Sequence, residues 1–128
     1  MLQRIGRKTL LPTVLVLVGF GLTLGRPTRA PAQEDITVQG EIVDMACYMA
    51  KGSRGASHKA CAQLCAKRGV PIGVLTEAGE VFLLLDDHNN SDPYEAAKKL
   101  AGERAEIAGK KFNKQGVASI VVNSAKGL

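Results

Sequence analysis

The run Val81-Phe82-Leu83-Leu84-Leu85 has no polar face. A strand half in water alternates apolar and polar residues, so this one reads as a strand covered on both sides. Val70 to Thr76 (VPIGVLT) lies upstream of it across Glu77-Ala78-Gly79. Gly79 suits the positive-φ position of a tight turn, so the two runs form a hairpin. A cysteine-bearing helix just before the hairpin is a candidate cover for one of its faces.

The other elements follow from local signals. Ile36 to Tyr48 (ITVQGEIVDMACY) reads as a first strand on the β-propensity of Ile36, Val38, Ile42 and Val43, with Gly40 marking a bulge or bend. Lys51 to Ser57 is a loop. Residues 58–68 (HKACAQLCAKR) predict a helix with Ser57 as N-cap, Lys67 and Arg68 in the last turn, Gly69 as stop and Pro71 beyond. Asp92-Pro93-Tyr94-Glu95 starts a second helix, with Asp92 capping, Pro93 at the first helical position and Glu95 completing a capping box. It should run to about Ala101 and stop at Gly102. Arg104 to Phe112 and Val117 to Asn123 are two strands around a turn at Asn113 to Gly116, and Ser124 to Leu128 is expected to fray.

The first 32 residues read as a leader. Arg4, Arg7 and Lys8 precede the apolar run Leu10 to Leu24, and Ala30-Pro31-Ala32 has the small-x-small pattern of a cleavage site. The run falls short of the roughly 20 residues a spanning helix needs. Pro12, Gly19 and Gly21, with Gly25 at its end, weaken it as a span, so an uncleaved membrane anchor is the alternative to cleavage. A cleavable signal peptide over 1–32 predicts a periplasmic or secreted protein, with no membrane association beyond that segment. The leader also carries the charge. The whole chain is +5, but residues 1–32 hold five Lys/Arg and no Asp/Glu, leaving twelve of each sign in 33–128. A near-neutral domain lacks the clustered positive charge that nucleic acid or nucleotide phosphates require.

The order over residues 33–128 is strand, helix, strand, strand, helix, strand, strand. With the first helix set aside, five strands remain with one helix between the third and fourth. That order resembles small exported bacterial OB-fold proteins, in which one barrel follows a signal peptide. The resemblance covers roughly residues 36–123 and rests on element order. The segment GEIVDMACYM, followed by His58-x2-Cys61-x3-Cys65, is also similar to exported bacterial proteins, a likeness that carries no activity with it. The expectation is a single mainly-β domain with two helices: a five-stranded OB-like Greek-key barrel with a cysteine-rich helix inserted between strands one and two.

The chemistry concentrates in that insertion. All three cysteines (Cys47, Cys61, Cys65), one of two histidines (His58) and two of three methionines (Met45, Met49) lie between residues 45 and 69. On a helix, His58, Cys61 and Cys65 share one stripe. On a strand, Met45, Cys47 and Met49 share one face. If the helix packs back on the first strand, three sulfurs and an imidazole converge.

Three readings fit this set. Cys47, His58, Cys61 and Cys65 are a Cys3His donor set suited to tetrahedral zinc, or to cuprous copper with help from Met45 or Met49. Alternatively, Cys47 bonds to Cys61 or Cys65 and staples the helix down, making a metal-free interaction module for a periplasmic protein partner. Such a bridge stabilises by roughly 3 kcal/mol, and it leaves one thiol spare. Thirdly, a thiol could do redox or nucleophilic chemistry. Against that stand the absence of C-x-x-C and of any evident third group to orient a Cys–His pair. The absence of C-x-x-C-H removes covalent haem. The odd cysteine count favours the metal. His88, in the polar loop Asp86 to Asp92, is an outlying further ligand if that loop lies near the helix. Nucleic-acid binding on the barrel face would need aromatics, and only Tyr48, Phe82, Tyr94 and Phe112 are available in 33–128.

Overall fold

The computed structural model describes residues 33–128. The leader expected over 1–32 lies outside the described residues. In chain order the elements are β1 (Glu34–Asp44), α1 (Met45–Lys51), a 3-10 turn (Ala56–His58), α2 (Lys59–Lys67), β2 (Ile72–Thr76), β3 (Val81–Leu85), α3 (Asp92–Lys99), β4 (Arg104–Lys114) and β5 (Val117–Gly127). The strands close into a barrel in the order β1-β2-β3-β5-β4. Every neighbouring pair is antiparallel except β3 with β5, which run parallel from Leu83↔Ser119 to Leu85↔Val121. This is the expected OB-like order, with α2 inserted between β1 and β2 and α3 between β3 and β4.

The barrel interior is built from alternate residues of each strand. Ile42, Ile72, Val74, Phe82, Leu84, Ile107, Ile120 and Val122 are all buried. Ala62 and Ala66 of α2 and Ala97 of α3 join the same core, so small side chains let both helices approach closely. β3 is covered unequally. Phe82 and Leu84 point into the core, while Val81, Leu83 and Leu85 are half-buried.

Gly40 is a point of close backbone approach in β1. Here the strand pairs on both sides at once, with Thr76 of β2 and Ala105 of β4. A Cβ at this position would run into the Leu75 carbonyl oxygen. β1 keeps its register through Gly40 on both sides, so the glycine answers to close backbone approach rather than to the anticipated bulge or bend.

Four expectations need correction. Ser57 does not cap α2: it lies inside the 3-10 turn, and His58 holds the N-cap position without a side-chain cap bond. The first strand does not continue to Tyr48; it ends at Asp44, and Met45–Lys51 coils into α1, making three helices instead of two. The chain turns there because the Asp44 side chain caps Met-Ala-Cys-Tyr-Met-Ala-Lys, a run of helix-tolerant residues closed by Gly52 in the left-handed conformation. The tail does not fray at Ser124. β5 pairs with β4 through Ala105↔Gly127, and the hairpin between them turns on Gln115 and Gly116, both at positive φ. Finally, Ser91 occupies the N-cap of α3 without a side-chain cap bond. The first-turn N–H of Asp92 is instead met by Asn90 Oδ1 at 3.3 Å.

Because the Gly40 contact is with backbone on a paired strand, it has nowhere to relax. Gly40→Ala should cost about 1–3 kcal/mol, in the manner of other overpacking changes, measured as a fall in the urea midpoint at unchanged slope. An unchanged midpoint would show that β1 and β2 can move apart there.

Candidate metal centre

The excursion from β1 to β2 is held closed at its base. Asp44 pairs with Ile72, and the Met45 N–H donates to the Pro71 carbonyl at 2.9 Å. Within it, α1 and α2 each carry part of the cluster. Cys47 sits in the first turn of α1. Cys61 and Cys65 sit one turn apart on α2, next to Ala62 and Ala66, whose burial seats the helix on the barrel. A Schellman motif ends α2: the Val70 N–H donates to the Cys65 carbonyl at 3.0 Å and the Gly69 N–H to Ala66 at 3.1 Å. Gly69 is thus the stop that was expected.

Two overlapping groups of donor atoms result. The sulfurs of Cys47, Cys61 and Cys65 lie within 4.8 Å of one another, and so do single donor atoms of Asp44, Cys47 and His58. Cys47 belongs to both. His58 stands with Asp44 and Cys47 and does not close on one point with all three sulfurs. It lies in the 3-10 turn that leads into α2. All three cysteines are free thiols, so the Cys47 disulfide is not formed. Of the outlying sulfurs and nitrogens, Met45 Sδ packs against Gly73 of β2, Met49 is 70% exposed, and His88 is exposed in the turn after β3 and belongs to neither group.

Asp44 ties the two groups together. It is fully buried. Its Oδ1 accepts the Cys47 N–H at 2.8 Å, and its Oδ2 is 2.8 Å from His58 Nε2. Burial alone would raise the carboxyl, but the Cys47 N–H, the His58 ring and the Cys47 thiol outweigh it and hold Asp44 below the usual aspartate value. The effect on Cys47 is opposite. Hydrogen bonding to the Asp44 carboxylate, then burial and the negative charge, push its thiol up to about 11. Burial and a hydrogen bond with Cys61 raise Cys65 as well. Without a cation, Cys47 is therefore a protonated thiol at neutral pH and a poor nucleophile.

Asp44 is the member that sequence reading passed over. Its signal was present: an acidic residue closing an apolar strand, three residues before a cysteine, ahead of a short helix-forming run that ends in Gly52. Glu41 was also unmarked; its Oε1 accepts the Gly55 N–H and draws the loop after α1 back onto β1. Comparison of the chain with protein-family models, with curated proteins and with solved structures finds no match.

Removing the Asp44 side chain orphans the Cys47 N–H and the His58 ring together. Asp44→Ala should cost roughly 2–4 kcal/mol, by urea unfolding in reductant and chelator so that no ion contributes. Asp44→Asn, which keeps an acceptor, should cost less. A group held below its usual value stabilises above that value and loses the contribution as pH falls through the lowered one. The gap between wild type and Asp44→Asn should therefore narrow as acid protonates Asp44. A gap that is constant down to acid pH would mean that the carboxylate charge contributes nothing.

Proposed function

We propose that this chain is an exported domain that binds a soft or borderline metal ion, Zn2+ or Cu+, at Cys47, Cys61 and Cys65, with the Asp44–His58 pair beside them. The carrying observation is the mutual approach of the three sulfurs within 4.8 Å. Thiolates on a tetrahedral ion with bonds of about 2.3 Å stand roughly 3.8 Å apart, so a small adjustment of side chains brings them to bonding positions. A bound cation also reverses the local electrostatics. It displaces the thiol protons and offsets the carboxylate that otherwise keeps Cys47 protonated.

Asp44 and His58 fit the same reading as support. Metal sites commonly back a ligand with a buried carboxylate, which fixes orientation through hydrogen bonds. Here the carboxylate grips the first turn of α1 and so aims Cys47 toward α2. His58 can become the fourth ligand only by leaving Asp44 or by presenting its other ring nitrogen to the sulfurs. The raised Cys47 and Cys65 thiols are poor nucleophiles without a cation. Export rests on the leader-like segment 1–32, and a periplasmic or extracellular setting follows from it. No helix among the described residues is long and apolar enough to cross a membrane.

The test is to purify the mature protein from an oxidising compartment without added metal, then count free thiols and bound metal in one sample. About one ion per chain with no disulfide is the expected result. No metal and a single thiol per chain would sink the reading and establish the stapled interaction module in its place.

A further inference from the structure

Where the sulfurs sit says what kind of site this is. None of the three cysteines is buried, and Cys61 is exposed. The barrel closes on Ile42, Val74, Leu84, Ile107 and Ile120 without any thiol contributing to its core. A structural zinc site differs on both counts: it closes its shell with four protein ligands, and the fold depends on it.

Among the described residues, the group of mutually close donors that holds all three sulfurs holds no other donor. His58 stands in the neighbouring group with Asp44 and Cys47, its Nε2 2.8 Å from Asp44 Oδ2. Asp44 is also outside the three-sulfur group, with Oδ1 accepting the Cys47 N–H and Oδ2 facing His58. Met45 Sδ is packed against Gly73, and the Met49 side chain faces solvent. The set that remains is three sulfurs, a soft set that suits Cu+ and leaves a tetrahedral zinc shell one protein ligand short.

We propose that the cluster is a surface cargo site for a cuprous ion, held by the sulfurs of Cys47, Cys61 and Cys65 alone and open on its outer side. The proposal rests on the metal-binding reading above and adds the ion, its coordination and its exchangeability. Copper enters and leaves as Cu+, and each coordinating thiol gives its proton to solvent, so no electron transfer is involved. The open side lets an incoming thiolate or thioether from an acceptor bond to the ion before the last sulfur of this chain lets go.

The experiment uses the reduced mature chain, loaded anaerobically with Cu+ in the presence of an equal amount of Zn2+. X-ray absorption at the copper edge should show a first shell of three sulfurs without imidazole. Cys61→Ser should lose stoichiometric copper while keeping the wild-type far-UV circular dichroism. Stripping the wild type with a cuprous chelator should remove all the copper and leave the dichroism unchanged. Imidazole in the shell, zinc retained in place of copper, or loss of the β-barrel signal on stripping would each overturn the cargo proposal and leave metal binding intact. Binding of neither ion would overturn both.

Discussion

A buried carboxylate with three partners organises this part of the molecule. Asp44 terminates β1, caps α1 through the Cys47 N–H and holds the His58 ring at the entrance to α2. A charge so placed is costly to bury unless it is fully hydrogen-bonded, and among the described residues no buried side-chain N or O lacks a partner. The bonds made by Asp44 therefore fix the start of α1 and the turn that leads into α2. Releasing the carboxylate would free both ends of the Cys47-to-Cys61 loop at once.

The barrel supplies the rigid platform for that arrangement. Asp44 and Ile72 pair across β1 and β2, so the excursion that carries the thiols leaves and returns at adjacent points of a closed sheet. Its entropy cost is that of ordering a loop whose ends are already fixed. The small residues Ala62 and Ala66 set α2 directly on the core, which turns the neighbouring Cys61 and Cys65 toward α1. The hydrophobic core and the thiol cluster are thus adjacent but separate. One can be altered without dismantling the other.

Much of the fold was legible because its signals are local. Gly79 and Gly116 mark the two hairpins, Gly69 stops α2, and Pro93 starts α3; each acts through its own backbone geometry. The apolar run Val81–Leu85 announced a strand, but the cover expected on both faces is complete only over Phe82 and Leu84. The misreadings are also local in origin. Met45–Tyr48 continued an apolar strand so smoothly that the capping by Asp44 was overlooked. The tail after Ser124 looked polar and free because its pairing partner, near Ala105, is remote in sequence. The thiol set was visible from composition and spacing alone. The role of Asp44 was not, since it depends on a contact with His58 fourteen residues away that exists only once the excursion has folded back.

The account turns on three sulfurs gathered around one point, Cys47 by that carboxylate and Cys61 and Cys65 by the seating of α2 on the core. Anomalous diffraction from crystals of the metal-loaded protein tests this most directly. The account predicts one strong peak about 2.3 Å from the sulfurs of Cys47, Cys61 and Cys65, with Asp44 still bonded to the Cys47 N–H. A peak elsewhere on the surface, or continuous density between two sulfurs at about 2.05 Å, would contradict it.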